Sequence, residues 1–158
     1  MAREVSAGVL AWRRGAGGPE FLLVHPGGPY WARKDEAAWS IPKGLVEAGE
    51  ASWAAARREF AEELGQPIVG EPVTLEPCPT PGGKLILAWL VEADLDVRDV
   101  VSNLFEIEWP PRSGRRASFP EVDRADYFSA ELALAKLHKG QRPILLDAVS
   151  RLKSRLMG

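Results

Sequence analysis

Between Gly44 and Gln66 the chain reads GLVEAGEASWAAARREFAEELGQ, and its acidic residues are spaced for metal chemistry. Glu59, Glu62 and Glu63 stand at i, i+3 and i+4, so on a helix their side chains emerge as neighbours about 5–6 Å apart at Cβ. Carboxylates that close repel one another, at roughly 0.2–0.5 kcal/mol per like-charge pair on an exposed helix. A divalent cation turns that repulsion into coordination. Mg²⁺ and Mn²⁺ prefer carboxylate oxygen and leave positions open for water and substrate phosphate. Arg58, four residues before Glu62, can hold one carboxylate in orientation. Without a cation the same glutamates are a solvated helix face, the commoner meaning of a Glu pair, and the surrounding spacing decides between the two.

That spacing is Gly44, five residues, Glu50, seven residues, then Arg58-Glu59-Phe60-Ala61-Glu62-Glu63-Leu64-Gly65. It resembles the signature of the Nudix hydrolases, G-x5-E-x7-R-E-U-x-E-E-x-G-U, where U is a bulky apolar residue. Every fixed polar and glycine position matches, Phe60 is an aromatic version of the first U, and Gln66 stands where an apolar residue is usual. The resemblance implies an α/β fold, an α/β/α sandwich with a central mixed sheet and the box helix at the active edge. It implies Mg²⁺-dependent hydrolysis of a phosphoanhydride bond, with Mn²⁺ as the alternative ion. Glu59 and Glu63 are expected to bind the metal most directly, with Glu62, Glu121 and the Gly44 carbonyl completing the site. Glu59 is the first choice for the proton acceptor, and Glu62 and Arg58 join it as catalytic candidates.

The entry to the box, Trp39-Ser40-Ile41-Pro42-Lys43-Gly44, looks like that of family members acting on dinucleoside polyphosphates and nucleoside triphosphates. Subfamilies hydrolysing ADP-ribose tend to carry Ala where this chain has Lys43. Trp39 and Lys43 are therefore expected as substrate contacts, with Lys43 on phosphate. In dinucleoside polyphosphate hydrolases a glutamate before an aromatic-rich strand supplies a further metal carboxylate. Glu121 matches it best, with Glu106 and Glu108 as competitors. The leading substrate class is a dinucleoside polyphosphate such as diadenosine tetraphosphate, the runner-up a nucleoside triphosphate, and the rival from another class a binding module that has lost turnover. Such a module is expected to lack part of the carboxylate set, which this chain has in full.

Two loops could add substrate contacts. Residues 26–38, PGGPYWARKDEAA, carry Tyr30, Trp31, Arg33 and Lys34 in a Gly/Pro-rich stretch. Rings there can stack on a nucleobase and cations can meet phosphate. Residues 110–120, PPRSGRRASFP, read as a basic loop whose Arg115 and Arg116 could gather distal phosphates, although solvated cations are the commoner outcome. His25 has no second His or Cys at metal spacing and reads as a packed residue.

The 158 residues, 46% apolar and 27% charged, fit one domain spanning 1–158 with a real core. A formal charge of −2 gives no basic field for long nucleic acid and suits a small phosphorylated substrate handled by a local patch or a metal. A single cysteine, Cys78, cannot form an internal disulfide, and the default setting is reducing and cytoplasmic. The N-terminus lacks the apolar core of a signal peptide, no apolar run is long enough for a bilayer, and both monomer and homodimer remain open.

The elements that must position these residues follow from periodicity. Val5 to Ala11 alternate as a half-buried strand, Phe21 to His25 read as a strand covered on both faces, and Lys84 to Ala93 as a central strand buried on both faces. Ala51 to Leu64 lack Pro and Gly and put Trp53, Ala56, Phe60 and Leu64 on one face, with Gly65 as a left-handed cap. Residues 67–83 read as an irregular excursion with a short strand near Val73 to Leu75. Phe105, Ile107 and Trp109 alternate with Glu106 and Glu108, Ser129 can cap a helix, and a last helix from Pro143 presents Leu145, Ala148, Val149, Leu152 and Leu156.

Overall fold

The structure, a computed structural model, describes residues 3–157, with side chains through Arg155. In chain order it runs β1 (Val5–Gly15), β2 (Gly18–Pro26), β3 (Lys43–Leu45), α1 (Ser52–Leu64), β4 (Val73–Thr74), β5 (Cys78–Pro79) and β6 (Leu85–Glu92). It continues with β7 (Leu104–Glu108), β8 (Arg116–Pro120), β9 (Val122–Ser129), α2 (Ala130–Lys136) and, after a short 3-10 turn, α3 (Arg142–Met157).

The main sheet has the order β4-β6-β1-β2-β9, with β3 paired to β1 and β5 to β6. It is mixed. β1 runs parallel to β6 from Val5↔Leu85 to Trp12↔Glu92, and antiparallel to β2 and β3. Helices cover both faces. On one side Leu10, Trp12, Leu23 and Ile86 meet Leu137, Ile144, Leu145 and Leu152 of the α2–α3 layer. On the other, Ala7, Val9, Leu22 and Val24 meet Ala55, Ala56, Phe60 and Leu64 of α1. Burying Phe60 and Leu64 contributes about 1.5–3 kcal/mol each, which anchors the box helix by the face opposite its carboxylates. Trp53 lies against Trp89 at 5.4 Å between ring centroids.

Several elements differ from what the periodicity predicts. β1 is buried on both faces from Ser6 to Trp12, because a helical layer lies on each side of a strand with neighbours at both edges. β6 is the alternating one: Ile86, Ala88 and Leu90 are buried under the α2–α3 layer, while Leu85, Leu87 and Trp89 stay partly exposed on the α1 side. The second half of the presumed basic loop is strand β8, which pairs with β7 as a separate hairpin, Phe105 opposite Phe119. The irregular excursion contains β4 and β5, both on β6. Ser129 does cap α2, accepting from the Leu132 N–H at 3.3 Å. In α3 Leu145, Ala148 and Leu152 are buried as expected, joined by Ile144, and the side chain of Leu156 lies outside the described residues. No helix of the described residues is long and apolar enough to cross a membrane.

Candidate active site

The glutamates of α1 face the loop that enters it. β3 carries Lys43 and Gly44 against β1, Gly8 opposite Lys43 and Ala7 opposite Gly44, so the entry is stitched to the central strand. The Glu59 carboxylate lies so close to Gly44 that a Cβ there would occupy the same space, which explains the glycine. The C-terminal end of α1 is closed by Gly65 in the left-handed region, φ 72°, its N–H donating to the Ala61 carbonyl at 2.8 Å.

Arg58 organises the acidic face. Its Nε donates to Glu50 at 2.8 Å and its Nη2 to the other Glu50 oxygen at 3.0 Å. Its Nη1 donates to Glu59 at 2.9 Å and lies 3.3 Å from Glu62, while Nη2 also reaches the Leu45 carbonyl at 3.1 Å. Glu50 accepts in addition from the Glu47 N–H at 3.1 Å, and these bonds hold its carboxyl below the usual range. The carboxylates of the site titrate unequally. Burial pushes Glu59 up against the pull of Arg58, with Glu62 and Glu121 adding repulsion. Glu63 is deeper, and burial together with Glu59 and Glu121 pushes it up to about 8 although the Lys43 N–H donates to it at 3.0 Å.

These oxygens form a hard, all-carboxylate donor set, the type that suits Mg²⁺ or Mn²⁺. Desolvation and the neighbouring carboxylates hold Glu63 toward its neutral form in spite of the Lys43 charge, and a dication is the partner that would reverse this. Among the described residues no group of three or more His, Cys, Asp or Glu side chains converges as a ready-made cage. Glu59 and Glu62 instead direct oxygens at Arg58. The chemistry of the donor set fits the ion, and Arg58 bonds one Glu59 oxygen while leaving the other without a guanidinium partner.

Glu121, just before β9, is exposed and acts electrostatically on both Glu59 and Glu63. Its rivals do not share this: Glu106 pairs with Arg116 at 2.7 Å, and Glu108 accepts from the Arg112 N–H at 2.6 Å. Lys43 lines a cavity of about 330 Å³ together with Ser6, Lys84, Ile86, His138 and Gln141. These residues escaped the sequence reading because they come from β1, β6 and the turn before α3, with no local spacing to join them.

Other candidates lie elsewhere. Trp39 is a correction: it is 3% exposed, its Nε1 donates to Asp35 at 2.9 Å, and His25 and Phe128 pack edge-on against it. A ring enclosed in that way has no face left for a nucleobase. Tyr30 is exposed but rests edge-on against Trp109 at 5.4 Å, and Trp31 packs partly on the core with Lys34 over its ring. Arg115 and Arg116 sit toward the tip of the β7–β8 hairpin. Five positions of extended chain separate Arg116 from Glu121, about 16 Å, so the hairpin carries these cations away from the carboxylates.

Solved structures share the fold. The chain is similar to an Ap4A hydrolase of C. elegans in a binary complex, with 24% identity, TM-score 0.67, and 94% of this chain and 98% of that one covered. It is also similar to a NUDIX hydrolase of Listeria monocytogenes, at 17% identity, TM-score 0.67 and coverage of 96% and 95%. A third is the NUDIX domain of Shewanella oneidensis NrtR complexed with ADP ribose, at 13% identity, TM-score 0.65 and coverage of 96% and 90%. No curated protein matches the chain. The family model described as the NUDIX domain matches residues 2–148, nearly the whole length over which the box, its anchoring sheet and the covering helices extend, and the chain belongs to the Nudix family of pyrophosphohydrolases.

Proposed function

We propose that this protein hydrolyses a phosphoanhydride bond in a nucleoside diphosphate linked to another moiety, with a dinucleoside polyphosphate as the leading substrate and Mg²⁺ as the ion. The observation that carries the reading is the meeting of two box carboxyls with the entry strand: Glu63 accepts from the Lys43 N–H at 3.0 Å and Glu59 lies against Gly44, with Glu63 pushed up to about 8 by desolvation. Such a group is costly in a protein that never meets a cation and useful in one that does.

An ion held by Glu59, Glu62, Glu63 and Glu121, with the Gly44 carbonyl, would neutralise phosphoryl oxygens and make bound water more acidic. Arg58 holds Glu59 and Glu62 in register through its bonds to both. Glu59, whose carboxyl desolvation makes more basic than an exposed one, is the first candidate to receive a proton from the attacking water. Lys43 supplies positive charge between the carboxylates and the adjoining cavity. That cavity, about 330 Å³, is of nucleoside size, with Ser6 and Gln141 as its most buried polar groups.

A panel of diadenosine tetraphosphate, nucleoside triphosphates and ADP-ribose, with product analysis, tests the proposal. Release of ATP plus AMP from diadenosine tetraphosphate supports the leading reading. Selective release of pyrophosphate from a triphosphate favours the runner-up, nucleotide-pool clean-up, which Lys43 supports equally. Indifference to every nucleoside polyphosphate removes both.

A further inference from the structure

His25 is fully buried, yet both its ring nitrogens are engaged. Nδ1 lies 2.8 Å from an Asp123 carboxylate oxygen, and Nε2 lies 2.6 Å from the Lys34 carbonyl oxygen. A carbonyl only accepts, so Nε2 carries a hydrogen, and Nδ1 and Asp123 hold another between them. Asp123 occupies a special place in the sheet. The β2–β9 pairing runs Val24↔Ala125 and His25↔Arg124, then jumps to Pro26↔Val122, leaving Asp123 as the extra residue of a β-bulge.

Strand side chains alternate, so one extra residue reverses the face to which everything beyond it points. Glu121 lies just beyond that bulge. Its carbonyl accepts from the Gly27 N–H at 3.0 Å, its own N–H donates to the Asn103 carbonyl at 2.8 Å, and its charge reaches Glu59 and Glu63. The approach is close enough that a Cβ on Gly27 would overlap the Pro120 carbonyl. A one-residue change of register here would swing Glu121 off the box.

We propose that His25 is a positioning residue for the ion site: its bond to Asp123 locks the bulge that turns Glu121 toward the α1 carboxylates. Its second bond fixes the 26–38 loop at Lys34. The inference rests on the reading of Glu121 as a metal carboxylate, and the test separates the two.

Mn²⁺ affinity of the full-length protein, measured by electron paramagnetic resonance of the free ion, is compared across Glu121→Gln, His25→Gln, His25→Asn and the double variant Glu121→Gln/His25→Gln. Thermal melting monitors the fold of each. Glu121→Gln is expected to weaken Mn²⁺ roughly ten- to a hundredfold. His25→Gln, whose amide keeps a donor near the Nε2 position but loses Asp123, is expected to weaken it comparably. His25→Asn keeps a donor near Nδ1 and is expected to retain most of the affinity. In the Glu121→Gln background, His25→Gln is expected to add no further loss. Asp123→Ala removes the same bond from the solvent side and carries the same expectations if the His25 variants do not fold. Additive losses in the double variant, or equal losses for His25→Asn and His25→Gln, would overturn the inference in favour of simple packing. Loss with Glu121→Gln but none with His25→Gln or Asp123→Ala overturns the inference alone. An unaltered affinity in Glu121→Gln overturns the reading of Glu121 and the inference with it.

Discussion

Arg58 meets Glu50 fork on fork, with Nε at 2.8 Å from one carboxylate oxygen and Nη2 at 3.0 Å from the other, while its remaining nitrogen reaches Glu59. One guanidinium thereby fixes the loop before α1 and the carboxylates on it. Lysine offers a point charge and cannot make the paired bonds. Arg58→Lys is expected to lower kcat by about ten- to a hundredfold, with a smaller change in KM. Steady-state kinetics at saturating Mg²⁺ measure it.

The double change Glu62→Gln and Glu63→Gln keeps shape and removes two carboxyl groups from the acidic face. Hydrolysis is expected to fall by about a thousandfold or more while the protein stays folded and retains some nucleotide affinity. Calorimetric binding of a non-hydrolysable dinucleotide, set beside turnover, separates the two effects.

Glu63 also predicts a pH dependence of stability in the metal-free protein. Its folded value of about 8 lies above the ordinary 4.5, so between those values the folded chain binds a proton that the unfolded chain has released. The contribution is complete below the lower value and lost as pH rises through the upper one. Tm in a chelator is expected to fall more between about pH 5 and about pH 8.5 than it does in Glu63→Gln. Added Mg²⁺ is expected to raise Tm most at the alkaline end, and melting curves across that range check both statements.

Gly44→Ala adds a Cβ where the Glu59 carboxylate lies. Displacement of a reacting group by about 1 Å can cost roughly a hundredfold in rate, and kcat is expected to fall by that order with the fold intact. Kinetics combined with circular dichroism distinguish this from unfolding.

Trp39 belongs to the core, between His25 and Phe128. Trp39→Phe is expected to lower Tm and leave KM for the nucleotide within about twofold. A Trp39→Ala truncation is expected to cost about 3–5 kcal/mol, measured by urea denaturation.

The chemistry-bearing helix was legible because its information is local. The i, i+3, i+4 carboxylates, the apolar stripe through Phe60 and Leu64, and the Gly65 cap all lie within four turns of one segment. Periodicity served less well in the sheet. β1 and β6 exchanged expected roles because burial depends on which strands and helices lie alongside, information that Val5–Ala11 and Leu85–Val91 do not contain. Half of the β7–β8 hairpin is legible, since Arg116 resembles a loop residue until Phe119 finds Phe105 across the strands. Trp39 was drawn to the site by its neighbours in sequence, whereas its environment is set by His25, Phe128 and Asp35. The lining of the Lys43 cavity and the Asp123 bulge join residues far apart in the chain, and no short-range spacing announces them.

The two margins of the sheet carry their own safeguard against fibril growth. At one end β4 is only Val73–Thr74, behind Pro72, too short to template a long pairing. At the other, β9 exposes Asp123, Arg124 and Asp126, hydrated charges that an incoming strand would have to strip of water. Among the described residues the seven strands of this layer thus end on two poor templates for a further strand, and one of them is the strand that carries the Asp123 bulge.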